Sequence, residues 1–277
     1  FGFHRSMDTW GAAIGPLLAL IYLLNNPNDY ATLFLLAFLP GMLSVALLLT
    51  LREKPSTTTI GKRAGFLSYL SYWKEAPSAF RKMVPALLLF TLFNSSDIFL
   101  LLMARNALEG SYVSMLGRSI SADAWVIGAY ILYNAVYALT AYPLGRIAER
   151  IGTRAIIGFG FLVFAGVYVG FARKPDPQQL LLLFALYGIY AAATEGMIKA
   201  WITEQVPTEK AATALGFYTS LESVSIWFAS GIAGMLWTYG NASLPFYCSA
   251  VVAFITGLYV SSMFNVQQPP AGGQVQR

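Results

Sequence analysis

Long apolar runs separated by short polar connections set the pattern of this chain. Eight runs have the length and apolarity of membrane-crossing segments: Trp10–Leu24, Ala31–Leu51, Val84–Ala104, Ala124–Leu144, Ala155–Ala172, Gln179–Thr203, Ala211–Tyr239 and Leu244–Phe264. About 18–25 residues at 1.5 Å each cross the ~30 Å of bilayer hydrocarbon. The first run is short for this and is expected to begin nearer Met7. None alternates with the period of two that a barrel strand shows, so all eight are expected to be helices. The predicted fold class is all-α, a polytopic membrane protein with eight transmembrane helices.

Composition agrees with the pattern. The 277 residues are 57% hydrophobic and 11% charged, against roughly 25% charged in a soluble domain. That excludes a soluble enzyme, and so much apolar surface excludes disorder. One cysteine, Cys248, and one histidine, His4, leave no His/Cys cluster for a metal, and no cofactor is implied. The net charge of +5 follows topology. Thirteen basic residues fall in connections on one side and four on the other, with Lys199 inside a span. Such asymmetry marks the cytoplasmic side, places both ends of the segment there, and removes the nucleic-acid reading.

The connection from Arg52 to Met83 is the longest. Its second part, Phe66–Lys74, spaces Phe66, Leu70 and Trp73 as one helical face among basic residues, which predicts an interfacial helix or a basic topology anchor. The expected organisation is residues 1–51 with two spans, a cytoplasmic linker over 52–83, six spans over 84–264 and a flexible tail over 265–277. The chain opens Phe1-Gly2-Phe3 without an initiator Met and reads as part of something longer.

Between the fourth and fifth runs stands Gly145-Arg146-Ile147-Ala148-Glu149-Arg150-Ile151-Gly152-Thr153-Arg154. This resembles the cytoplasmic loop motif of the major facilitator superfamily, G-x-L-A-D-R-x-G-R-R, with Glu149 in the Asp place and Thr153 in an Arg place. Gly145 and Gly152 are expected to permit a tight turn. Glu149, Arg150 and Arg154 are expected to hold a gate through charge-assisted contacts. The first run adds Gly11-Ala12-Ala13-Ile14-Gly15-Pro16, similar to the fifth-helix motif G-x-x-x-G-P-x-x-G-G that proton-coupled exporters carry, with Ala19 and Leu20 replacing the last glycines. Gly11 and Gly15, one turn apart, suit close helix packing, and Pro16 a bend.

Aligned this way, the chain corresponds to helices five to twelve of the family, and the first four would be missing. The resemblance implies two helical bundles that alternate access to a small-molecule substrate, a bacterial inner-membrane setting, proton coupling and a tilt toward export. A complete eight-helix receptor, scaffold or membrane enzyme is the alternative. An enzyme is disfavoured, since no nucleophile–base constellation is present.

Polar groups inside spans are the candidate site residues. Glu222 lies near mid-span, with Tyr218, Thr219 and Ser225 on its face, and is expected to carry the coupling proton, with Asp97 as the second choice, or to serve packing. Asp97, which shares a face with Asn94, suits a polar solute, a proton or an interhelical hydrogen-bond cluster. Glu195 and Lys199, four apart, suit an ion pair that is structural, gating or substrate-binding. Tyr130, Tyr133 and Tyr137 follow helical spacing and either line a cavity or pack.

Overall fold

The computed structural model describes residues 2–26, 29–50, 71–108, 113–115 and 118–263. The ten α-helices in them are α1 (Gly2–Asn25), α2 (Tyr30–Thr50), α3 (Tyr72–Glu75), α4 (Ser78–Phe93), α5 (Ile98–Ala107), α6 (Ala122–Ile151), α7 (Thr153–Ala172), α8 (Pro177–Glu204), α9 (Ala211–Met235) and α10 (Leu244–Ser262). Among the described residues, six spans are long and apolar enough to cross a membrane: α2, α4 with α5, α6, α7, α8 and α10. The other two predicted runs also fall on helices, α1 and α9, of 24 and 25 residues.

Local chemistry sets the helix ends. Ser121 accepts a hydrogen bond from the Ala124 amide and starts α6. Asp176 and Gln179 form a reciprocal capping box around Pro177 at the start of α8.

Three expectations change. The third run is not one helix, because α4 stops at Phe93 and α5 starts at Ile98. Asn94, Ser95 and Ser96 offer the backbone side-chain partners that compete with helical bonds, and Asn94 takes an extended ψ of 93°. The loop motif is mostly helical, since α6 continues through Gly145 as far as Ile151. Gly145 therefore makes no turn, and Gly152, at φ +94°, makes the whole of it before α7 begins. Between α5 and α6 a two-stranded antiparallel hairpin, β1 (Val113–Met115) and β2 (Arg118–Ile120), pairs Val113 with Ile120. It is a small exception in an otherwise helical fold.

Helices α6 to α10, with α4 and α5, pack around a core in which Phe161, Phe164, Tyr168, Phe171 and Phe184 are almost wholly buried. Small residues set the close crossings. A Cβ on Gly188 of α8 would stand 2.6 Å from the Tyr133 carbonyl oxygen of α6 and 3.1 Å from the Tyr137 amide nitrogen. Gly158 of α7 meets Ser261 and Gly257 of α10 in the same way. Helix α1 packs along α6, whereas α2 buries no residue.

Of the predicted interfacial helix, residues 66–70 lie outside the described residues, as does the predicted tail from 265. What is described docks on the bundle. Tyr72 is buried edge-on against Phe80 at 5.5 Å, Trp73 stacks on Phe217 at 5.8 Å, and Lys210 reaches Glu75 at 3.5 Å.

Candidate functional site

The interruption between α4 and α5 is where polar side chains converge. With the helix stopped at Phe93, the last carbonyls of α4 need donors from elsewhere. The Asn94 amide N–H bonds back to Phe90 and Thr91 at 2.9 and 3.2 Å. The Ser249 hydroxyl of α10 reaches the carbonyl of Phe93 as well as its own-helix carbonyl of Pro245 at 2.8 Å. One hydroxyl proton serves both, so Ser249 ties the break to α10.

Asn94 and Asp97 then meet tyrosines from two other helices. Asn94 Nδ2 donates to Tyr190 Oη at 3.3 Å, and Tyr168 donates to Asn94 Oδ1 at 3.4 Å. Tyr187 Oη donates to Asp97 Oδ1 at 2.7 Å. Buried phenols need such partners, and here the broken helix supplies them. The expected sharing of one face by Asn94 and Asp97 gives way to a non-helical corner, and both residues nonetheless serve one cluster.

Glu195 is exposed on α8 and accepts from Tyr137 Oη of α6 at 2.9 Å. Lys199 lies one turn further along, also exposed. Glu222 is half-buried on α9 and accepts from Tyr218 Oη at 2.9 Å. Of the hydroxyls expected around it, Thr219 turns instead to its own backbone at Leu215, 2.9 Å away. Tyr218 itself lies within hydrogen-bonding reach of Thr91 of α4. Asp97, Glu195 and Glu222, on three different spans, therefore each accept a hydrogen bond from a tyrosine. The sequence had singled out Tyr130, Tyr133 and Tyr137 but not Tyr168, Tyr187 or Tyr190. The signal was present: Tyr187 and Tyr190 lie three apart in a run otherwise made of apolar and small residues.

The loop motif lines a cavity of about 640 Å³ among the ends of α6, α7 and α8. Gly145, Glu149, Gly152 and Arg154 face it together with Trp201 and Glu204. Thr153 donates to Glu204 across it at 3.0 Å, and Arg146 lies over the Tyr142 ring at 5.7 Å. Arg150 is exposed and does not line it. On α1 the helix runs unbroken through Pro16, and a Cβ on Gly11 or Gly15 meets nothing within 4 Å. The expected close packing at that motif is thus not made among the described residues, because α1 approaches α6 without bringing any atom over those two glycines.

Comparison with known proteins places this arrangement. An uncharacterized MFS-type transporter of Methanocaldococcus jannaschii is 33% identical over 260 residues, 93% of this chain and 62% of that protein. A puromycin resistance protein of Streptomyces alboniger is 31% identical over 50% of this chain and 27% of its own length. A D-galactonate transporter of Escherichia coli is 30% identical over 56% of this chain and 33% of its own. The chain thus spans less than two thirds of the length of each of these relatives. The sequence profile of the Major Facilitator Superfamily matches residues 98–277, from the start of α5 onward. With that match and those relatives, this chain of membrane-spanning helices belongs to the Major Facilitator Superfamily.

Proposed function

We propose that this chain is part of a secondary transporter that moves a small solute by alternating access, with Asp97 as the proton-coupling acid. The observation that carries the reading is the discontinuous span α4–α5. Secondary transporters build substrate and ion sites from broken helices, whose freed backbone groups and nearby side chains face a cavity. Here the break presents Asn94 and Asp97 to tyrosines of neighbouring spans. Glu222, the first choice from the sequence, bonds to a tyrosine on its own helix and becomes the second acid.

In this reading residues 84–264 form one six-helix bundle and residues 1–51 the last two helices of another. Four further helices would complete the latter, residues 52–83 would link the two, and both ends of the segment would be cytoplasmic. Glu149 and Arg154, facing the same cavity as Glu204, act as the cytoplasmic gate. Export is the favoured direction, supported by the Gly11–Pro16 motif and by the resistance protein among the relatives.

The test is Asp97→Asn in the full-length protein, assayed for uptake and efflux with a panel of solutes. It should abolish pH-driven transport and preserve substrate exchange. Normal pH dependence in the variant would pass the role to Glu222.

A further inference from the structure

The carboxylates Asp97 and Glu195 belong to different spans, yet a continuous set of tyrosines lies between them. Tyr187 donates to Asp97 at 2.7 Å and Tyr137 donates to Glu195 at 2.9 Å. Between these two stands Tyr133, whose ring centroid is 5.1 Å from that of Tyr187 and 6.4 Å from that of Tyr137. All three residues are only 4–6% exposed. Packing explains buried rings, but phenylalanines such as Phe161 and Phe164 pack in the same core without hydroxyls, so it does not explain phenols at these three positions. Glu195 lies at the far end, exposed on α8 one turn before Lys199.

We infer that Tyr187, Tyr133 and Tyr137 form a relay that passes a proton between Asp97 at the helix break and the exposed Glu195 on α8. This rests on the reading of Asp97 as a coupling acid. In one transfer a proton leaves the Asp97 carboxyl, each phenol accepts one proton and releases one, and one proton arrives on the Glu195 carboxylate. Every tyrosine ends neutral, and water between adjacent hydroxyls completes the chain. Asp97 is within electrostatic reach of Tyr187 and Tyr190 of α8, Tyr168 of α7 and Tyr133 of α6. Glu195 meets Tyr137 of α6, with Lys199 one turn along its own helix. Tyr168 and Tyr190 bond to Asn94, which leaves Tyr133 and Tyr137 as the route toward Glu195.

The relay is testable without knowing the solute, because the probe is the proton. The full-length protein is reconstituted in sealed vesicles with its cytoplasmic face outward. A pH jump is applied to the outer buffer, and the infrared band of the protonated Asp97 carboxyl is followed after assignment by its loss in Asp97→Asn. Tyr137→Phe, which keeps the ring, should slow the response of that band roughly 100-fold, as loss of a positioned proton-transfer group does. Glu195→Gln should do the same by a different chemical change. Tyr130→Phe, whose ring is 5.5 Å from Tyr133 but lies off the route, should respond at the wild-type rate. Wild-type rates in both Tyr137→Phe and Glu195→Gln would overturn the relay and leave Asp97 as the coupling acid. No titrating band lost in Asp97→Asn would overturn the relay and the coupling role together.

Discussion

Helices α7 and α2 are built from nearly the same apolar alphabet and have opposite fates. In α7, 61% of the apolar span is buried, and in α2 none is. Phe34 and Leu49 of α2 are 75% and 84% exposed, while Phe161 and Phe164 of α7 are fully covered. Apolarity makes a segment soluble in lipid but gives no reason for two helices to associate there, since lipid tails are equally apolar. What α7 has is glycine where other helices cross it: Gly158 against α10, and Gly160 against Thr194 and Ala193 of α8. The glycine of α2, Gly41, meets nothing within 4 Å. Within this segment, close backbone approach at glycines accompanies burial, and in the proposed whole protein the further helices of its own bundle would cover α2.

The sharpest way to break that comparison is to add bulk at a crossing. Gly188→Leu would drive a side chain into the backbone of α6 at Tyr133 and Tyr137, and should cost about 3 kcal/mol, with loss of folded protein in detergent. Gly41→Leu, made in this 277-residue segment, should leave the unfolding free energy within about 0.5 kcal/mol of wild type. Equal losses in the two variants, measured by thermal unfolding, would show that surface apolarity matters as much as crossings.

A smaller effect comes from the α6–α7 turn. Gly152→Ala places a side chain at φ +94° and should cost roughly 2 kcal/mol, although open space surrounds the position. Gly145→Ala, in helical backbone with Met197 Cε 3.9 Å away, should be neutral or slightly stabilising. The same unfolding measurement compares them, and a reversal of the order would place the turn at Gly145.

Smaller still is Ser249→Ala, which removes a donor from the Phe93 carbonyl at the helix break and should cost about 1 kcal/mol. Substitution of the more exposed Ser243, whose hydroxyl reaches the Ala172 carbonyl at 2.7 Å, gives the comparison at a helix end near the bundle surface. It should cost less, because water can replace the lost donor there.

The smallest expected effect is at the α1–α2 corner and depends on pH. Asp29 accepts from Tyr22 at 2.7 Å and from the Thr32 amide at 3.2 Å, and these bonds hold its carboxyl below the ordinary range. A carboxyl lowered on folding stabilises the corner above its unfolded-state value. That contribution is lost as pH falls through the folded-state value. Acid titration of α1–α2 protection by hydrogen exchange should show the loss in wild type, and Asp29→Asn should flatten it.

The contrast between α7 and α2 also explains what could be read in advance. Apolar runs report residence in a membrane, so the spans were legible at Ala155–Ala172 and Ala31–Leu51 alike. They do not report partners, so nothing distinguished the buried helix from the exposed one. A scan for apolarity also tolerates a few polar residues, and so it passed through Asn94-Ser95-Ser96 and missed the break. Asp97, Glu195 and Glu222 were legible because carboxyls are costly in lipid. Tyr218, one turn from Glu222 on the same helix, was legible too, but the pairings of Tyr187 with Asp97 and Tyr137 with Glu195 were not, since they cross between helices and one sequence carries no record of which helices cross.

The break in α4–α5 has one more consequence, carried by the backbone itself. A helix accumulates roughly half a negative charge at its C-terminus and half a positive charge at its N-terminus. Cutting one span in two places the C-terminus of α4 and the N-terminus of α5 on either side of Asn94–Asp97. The gap is polarised before any side chain titrates, with the positive end beginning next to the Asp97 carboxyl. The gap thus carries a field of its own, which only re-forming the continuous helix would remove.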